Sequence, residues 1–421
     1  MMNSGELLSL GQYESDTFQR AAPCFSTVPV EELSASACER ASRPVRLLCV
    51  AGARPNFVKL APLLRAFRTH PLFDVRLVHT GQHYDSSLSA VFFDEFNIPR
   101  PDVHLEVGPG SHAWQTAELM KRFEPVLAEQ QAQVVLVVGD VNSTVACALV
   151  AAKFALDVPF RIRSGKRRRP LIAHVEAGLR SFDDDMPEEA NRRLTDTISD
   201  LLYVSDPAGM VNLAKEGVPD NRVVMVGNVM IDTLFSARAQ VRKSLILAEL
   251  ALTGLYGVVT LHRPGTVDDP VVFADLFRTL NGLARELPLV FPVHPRTRAR
   301  LQTMGQVLDS PHWRVVEPLG YFDFIRLLCN ARVVFTDSGG VQEETTVLGI
   351  PCLTLRNNTE RPVTVEQGTN QLVGTQRTAI ESAFRRAMSG EIRGRVPQYW
   401  DGRAAERIAD HLQSLQWEVS A

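Results

Sequence analysis

Short apolar runs recur along this chain. Each is closed by a turn rich in glycine or polar residues and followed by a segment with the three-to-four-residue spacing of a helix. The first run, 45–50, ends in Gly52-Ala53-Arg54-Pro55 and leads into a helix over 56–68. Runs at 75–79, 134–138 and 171–175 repeat the pattern, with helices over 111–127, where Ser111 suits the cap position, and over 142–156. The rhythm restarts at 223–226, which passes through Gly227-Asn228 into another helix. Strands then follow at 257–261, 289–293, 314–316, 333–336 and 352–355, with helices over 321–329, 341–348 and 404–415. Strands alternating with helices predict an α/β protein built on parallel, doubly wound sheets. The restart divides the chain into two units with a hinge within 225–245, giving an N-terminal unit over 44–225 and a C-terminal unit over 226–397. Residues 1–43 show no periodicity and are expected to form a poorly ordered extension.

Composition narrows the function classes. The 421 residues carry a formal net charge of -3, which gives no electrostatic basis for nucleic-acid binding. The six cysteines, Cys24, Cys38, Cys49, Cys147, Cys329 and Cys352, form no CxxC pair, and several lie within apolar runs. Free thiols in a reducing compartment are therefore expected. No apolar stretch reaches the roughly 18–20 residues of a membrane span, and the first residues lack the pattern of a secretory signal, so a cytoplasmic enzyme without membrane insertion is expected. One segment stands apart. Residues 161–170, RIRSGKRRRP, are strongly basic without interleaved aromatics, and read as a disordered surface loop or a cover beside a cleft.

The chemistry concentrates where strands end. His174-Val175-Glu176-Ala177-Gly178-Leu179-Arg180 and Met186-Pro187-Glu188-Glu189-Ala190-Asn191-Arg192 set acids and bases close together just past an apolar run. Asp140 ends the preceding strand, so Asp140, Glu176 and Glu188 converge on one crevice as proton donors and acceptors, unless Glu188 is simply a helix-start charge. Arg54 is either a phosphate contact or a structural arginine. Asp337-Ser338-Gly339-Gly340 opens a helix, where Ser338 can cap or meet a phosphate and the glycines allow close approach of an anion. Glu344, further along, suits sugar or ribose hydroxyls or else faces solvent. His262 and His294 each follow a strand of the second unit. HExxH spacing and a GxSxG elbow are both absent, so neither a metal site nor a serine hydrolase is expected.

The ordered motifs carry a family resemblance over most of 45–418. They are GARPNFVKLAP, TGQHYD, VVGDVNST, HVEAGLRSFD, MPEEANRRLTD, VGNVMIDTL, TLHRP, PVHPRTR, TDSGGVQEE and NTERPVTVEQGTN. The chain resembles the non-hydrolysing UDP-N-acetylglucosamine 2-epimerases. The resemblance implies a GT-B fold: two Rossmann-like domains with an interdomain cleft, and a C-terminal helix, 398–421, rejoining the first domain. It implies interconversion of UDP-N-acetylglucosamine and UDP-N-acetylmannosamine by UDP elimination and re-addition, through 2-acetamidoglucal. It makes Asp140, Glu176, Glu188 and His262 the catalytic candidates. Arg54, Lys59, His294, Tyr321, Ser338, Gly339, Gly340, Glu344 and Arg361 become contacts to UDP or the sugar. It also implies a homodimer that needs no cofactor. Two departures stand out: His262-Arg263 continues as Pro264-Gly265-Thr266 where the family often has Glu-Asn, and Gln82-His83-Tyr84 replaces the Gln-His-Arg of members regulated by a second substrate molecule. Other readings are an epimerase of a modified UDP-amino sugar such as a 2,3-diacetamido uronic acid, a GT-B glycosyltransferase, or a non-catalytic nucleotide-sugar-binding protein.

Overall fold

Strands buried on both faces need no polar alternation, and the sequences VVLVV at Val134–Val138 and LIAHVEA at Leu171–Ala177 are buried at every position. They lie at the centre of a seven-stranded parallel sheet in a computed structural model that describes residues 43–52, 54–82, 93, 95–305, 308 and 311–419. Its strands are β1 (Val45–Ala51), β2 (Phe73–His79), β3 (Val103–His104), β4 (Val134–Val138), β7 (Leu171–Ala177), β8 (Leu201–Val204) and β9 (Val223–Met225), in the order β3-β2-β1-β4-β7-β8-β9. A two-stranded hairpin, β5 (Phe160–Ile162) and β6 (Gly165–Arg167), stands outside it. The second sheet has six parallel strands in the order β12-β11-β10-β13-β14-β15. These are β10 (Gly257–Thr260), β11 (Leu289–Pro292), β12 (Trp313–Val316), β13 (Val333–Thr336), β14 (Cys352–Thr354) and β15 (Asn370–Leu372). Helices flank both sheets, as in tandem Rossmann-like units of the GT-B architecture.

Each sheet reverses its winding once, between β1 and β4 in the first and between β10 and β13 in the second. A ligand crevice in such sheets forms beyond the strand C-termini at the reversal. The residues just past those ends are Gly52, Gly139-Asp140, Leu261-His262 and Asp337-Ser338.

The link between the sheets is a helical layer. The helix Val229–Lys243 packs on both Arg54–Arg68 and Tyr321–Cys329, and one continuous apolar cluster runs from Leu47 and Phe57 through Ile231 and Leu234 to Ile325 and Ile408. The last helix, Ala404–Gln413, returns to Arg54–Arg68, and Asp232 accepts from the Ala404 and Ala405 amides at 3.0 and 2.7 Å. Gly227 makes the turn from β9 into this layer at φ +91°, where a Cβ would fall 2.0 Å from the Tyr399 carbonyl oxygen.

Several sequence expectations change. The run at 223–226 forms β9, Val223–Met225, which closes the edge of the first sheet beside β8. The helix expected to reach 156 stops at Lys153, because Phe154 is extended. The basic segment 161–170 is neither a disordered loop nor a cover on the cleft. It forms the β5–β6 hairpin, held by two Arg169–Asp200 hydrogen bonds at 2.8 and 2.9 Å and by Phe160 stacking on Trp417 at 5.6 Å. It enters β7 at the N-terminal end, opposite the crevice. Cys49, Cys147, Cys329 and Cys352 are free thiols, whereas Cys24, Cys38 and the proposed N-terminal extension lie outside the described residues.

Candidate functional site

The wall built by the first sheet is acidic. Glu176 sits at the end of β7, where the ladder to β8 slips in register between Val175 and Ala177, and its φ is +68°. A glutamate in the left-handed region is strained by roughly 1–3 kcal/mol and persists only where its surroundings over-determine it. Glu176 is 4% exposed; its Oε2 pairs with the buried Lys59 Nζ, while Oε1 is buried without a hydrogen-bond partner. Gly139 makes room for that pair, since a Cβ there would stand 3.3 Å from Lys59 Nζ. Asp140 follows β4 and accepts from Arg192 Nη1 at 2.5 Å, leaving its side chain 32% exposed to the crevice.

The other polar residues of these motifs hold this wall in shape. His174 is fully buried, with Nδ1 2.7 Å from Asp196 and Nε2 2.8 Å from the Gly139 carbonyl, and so ties β7 to the turn after β4. Arg180 pairs with Asp196 at 2.8 Å and Glu216 at 2.7 Å. Glu189 accepts from the Ser181 and Phe182 amides and from Arg192 Nη2 at 2.6 Å. Burial alone would raise the Glu189 pKa, but the Ser181 amide and the Arg192 guanidinium hold it below the usual carboxylate range. Glu188, its neighbour, is half-buried and turns away from this cluster to line a cavity of about 290 Å³ with Gln82, His112, Gln115, Asn142 and Asn191. The cavity floor is pre-organised: Asn142 donates to Gln115 at 2.9 Å, and Ser143 Oγ donates to Gln82 Oε1 at 2.8 Å.

The opposite wall is a helix N-terminus ringed by cations. Gly339–Leu348 starts directly after β13, so its first amides face the crevice. Ser338 occupies the cap position, but its hydroxyl makes no cap hydrogen bond, contrary to the capping role open to it in the sequence. Gly339 is required by a close approach: a Cβ would lie 2.6 Å from Arg361 Nη1. Asp337, fully buried, accepts from the His262 and Arg263 amides at 2.9 Å each and faces His262 Nδ1 at 3.1 Å. The His262 ring is thereby fixed with 41% of its side chain exposed. Burial works to raise Asp337, and the His262 contact more than offsets it, leaving the pKa lowered. His294 caps the helix Pro295–Thr303 through a hydrogen bond from the Arg296 amide at 3.2 Å, and its ring lies 5.7 Å from that of His262. Arg361 pairs with Glu343 at 2.5 Å and Glu360 at 2.6 Å, and Glu360 also meets Arg263 and Arg356. Tyr321 and Glu344 are buried together; burial pushes Glu344 up to about 8, with the Tyr321 hydroxyl only partly opposing it.

The two walls meet. Asn358 donates to Asp183 at 3.0 Å, and Glu95 accepts from the Tyr321 amide at 3.2 Å. Of the residues singled out in the sequence, Asp140, Glu176, Lys59 and Glu188 stand on the first wall, and His262, His294, Tyr321, Ser338, Gly339, Gly340, Glu344 and Arg361 on the second. Arg54 opens the helix after β1, and its side chain, like His83, lies outside the described residues. Lys59, expected at UDP, is committed to Glu176. Sequence reasoning passed over Glu343, Glu360 and Asp196, because a buried acid beside an arginine has no periodicity of its own. Among the described residues no group of histidine, cysteine, aspartate or glutamate is arranged to hold a metal, and no helix is long and apolar enough to cross a membrane.

Comparison with known proteins identifies the family. The family model for UDP-N-acetylglucosamine 2-epimerase matches residues 65–413. A UDP-N-acetylglucosamine 2-epimerase of Methanocaldococcus jannaschii is 36% identical over 373 residues, covering 86% of this chain and 98% of that protein. A UDP-2,3-diacetamido-2,3-dideoxy-D-glucuronate 2-epimerase of Pseudomonas aeruginosa is 38% identical over 378 residues, covering 88% and 100%. The crystal structure of the M. jannaschii enzyme with UDP-GlcNAc and UDP superposes with a TM-score of 0.79 at 35% identity, covering 88% of this chain and 99% of that one. The chain belongs to the UDP-N-acetylglucosamine 2-epimerase family.

Proposed function

We propose that the cleft epimerises UDP-N-acetylglucosamine and UDP-N-acetylmannosamine at C2. The observation that carries this reading is the pairing of a carboxylate wall, with Glu176 held in a strained backbone, against a helix N-terminus flanked by His262. A C2 proton is weakly acidic, so its removal needs a leaving group beside it. One carboxylate takes the proton from C2. The C–H electron pair becomes the C1=C2 double bond, and the C1–O pair leaves with UDP. The first amides of Gly339–Leu348 and His262 stabilise the departing diphosphate. Proton delivery to the opposite face of C2 and re-addition of UDP at C1 complete the turnover. Asp140, Glu176 and Glu188 serve these proton transfers, with Arg54, Ser338, Gly339 and Gly340 on the diphosphate and Glu344 on the ribose. His294, Tyr321 and Arg361 position this wall. The two functional units divide near 225/226, with the last helix belonging to the first.

A second substrate has specific support. The P. aeruginosa relative is named for a 2,3-diacetamido uronic acid nucleotide and is as similar to this chain as the M. jannaschii enzyme. The discriminating experiment incubates the purified protein separately with each nucleotide sugar and reads the products by proton NMR. Conversion of UDP-N-acetylglucosamine with the higher kcat/KM supports the main reading; conversion of the diacetamido uronate alone replaces it, and inertness toward both removes the epimerase assignment.

A further inference from the structure

The basic hairpin β5–β6 takes no part in the chemistry above. Residues 161–170 hold six cations and no acid, in a chain whose net charge is -3. Strand alternation sorts these cations onto two faces. Phe160 and Ile162 turn inward and are buried, whereas Arg161, Arg163, Lys166 and Arg168 turn outward and are exposed. Arg167 and Arg169, between the outward pair, face Asp200 at 3.6 and 2.8 Å and are neutralised by it. On the outward face only Arg161 finds an acid, Glu418 at 3.6 Å; Arg163, Lys166 and Arg168 make no ion pair among the described residues. Lys153, exposed at the end of the neighbouring helix Asn142–Lys153, makes none either among those residues. Arg161 and Lys166 are direct cross-strand partners. Like charges so placed destabilise a hairpin, so folding gains nothing from this pair. A cavity of about 430 Å³, lined by 152–155 and 166–169, opens beside Lys166.

We propose that the outward face of this hairpin docks the protein on an anionic lipid surface, with lipid phosphates on Arg163, Lys166 and Arg168 and a headgroup in the cavity beside Lys153. Three observations select a lipid surface over other polyanions. The cations are spread along a two-stranded face and do not converge on one point, which suits an array of phosphates. Val158, 47% exposed on the adjoining loop, adds an apolar side chain at the lipid boundary. No aromatic side chain lies within 161–170 for a base to stack on, which disfavours single-stranded nucleic acid. The face is also rigid before it binds. The Arg161 and Arg163 amides donate to the Glu418 and Leu415 carbonyls at 3.0 and 2.8 Å, and Phe160 stacks on Trp417, so little freedom is lost on docking. Two features oppose an anion here: Asp157, exposed on the adjoining loop, and the last carbonyls of Asn142–Lys153, equivalent to about half a charge. The unpaired cations Lys153, Arg163, Lys166 and Arg168 outweigh both. The hairpin enters β7 at its N-terminal end, so docking leaves the crevice at the strand C-termini open to solvent.

The test is co-sedimentation of the full chain with vesicles of phosphatidylcholine alone and of equal parts phosphatidylcholine and phosphatidylglycerol, at low and at high salt. Wild type is expected on the anionic vesicles only, and high salt should release it. Each cation near an anionic leaflet contributes about fivefold to partitioning, so Lys166→Gln combined with Arg168→Gln should lower binding roughly 25-fold. That double variant should unfold at the wild-type temperature or above it, because it removes like charges; a merely structural role would lower the temperature. Arg163→Gln, at the exposed turn, should lower binding about fivefold, and it carries the test if the double variant does not fold. Absence of a preference for the anionic vesicles overturns the proposal. Anionic-vesicle binding that survives undiminished in the folded variants overturns it too. Capture of wild type by a single-stranded RNA homopolymer but not by vesicles overturns it in favour of nucleic acid.

Discussion

The two sheets present the same topological feature, a winding reversal with residues just past the strand C-termini, yet they arm it with opposite charge. At the first, acids face the crevice and cations restrain them: Lys59 on Glu176 and Arg192 on Asp140. At the second, a helix N-terminus and His262 face the crevice and acids restrain them: Asp337 on His262, and Glu343 and Glu360 on Arg361. The difference teaches a division of labour. On the proposed reading, a wall of restrained carboxylates moves protons, and a wall of restrained positive charge holds an anion that must depart and stay bound.

The sharpest way to break this comparison is to neutralise one wall and ask which property disappears. Glu176→Gln removes a positioned acid–base group, and about 10²–10⁴-fold of turnover should go with it. UDP affinity, measured by calorimetry, should remain within a few-fold, and equal loss of both would dissolve the distinction between walls. Asp140→Asn should behave alike, with a loss on the order of 10²-fold, because Arg192 continues to hold the position. On the other wall, Asp337→Asn should affect kcat and UDP affinity together, each by about tenfold, since it frees the His262 ring and loosens two amides. Smaller effects test the frame that brings the walls together. Asp232→Ala removes the acceptor for the Ala404 and Ala405 amides, so chemical denaturation should show a loss of about 1 kcal/mol with little change in kcat. Arg169→Ala, beside the hairpin at the far end of the sheet, should cost about 1 kcal/mol and leave kinetics unchanged, because Arg169 is itself 35% exposed and Arg167 still faces Asp200 at 3.6 Å.

The sequence made most of the frame legible, for physical reasons. Strands buried on both faces, such as Val134–Val138, announce themselves as unbroken apolar runs, and Tyr321–Cys329 has the expected limits because an apolar stripe and a glycine before it define them. What escaped had weak local signals. Leu201–Val204 is only four residues long, and Asn370–Leu372 is polar at two of three positions. The hairpin at 160–167 was hidden by its charge: Arg167 and Arg169 are ordered by Asp200, more than thirty residues away in sequence, which no local pattern reveals.

The placement of the candidate residues was more legible than the contacts they make. Asp140, Glu176 and His262 stand at strand ends, as strand punctuation suggested. His174 and Arg180, the flanking residues of the most conspicuous motif, prove to be buried ties that fix where Glu176 points. Spacing cannot separate these uses: His174 and Glu176 are two residues apart, which a regular strand would place on one face, and the register slip and positive φ at Glu176 that break this alternation leave no mark in the sequence.

The central claim is that the first wall exchanges the C2 proton while the second retains UDP. Proton NMR of the wild-type protein with UDP-N-acetylglucosamine in deuterated water tests it most directly. The account predicts a manno epimer with deuterium at C2, without accumulation of free UDP in proportion to turnover. Epimer that retains the original C2 hydrogen would contradict it.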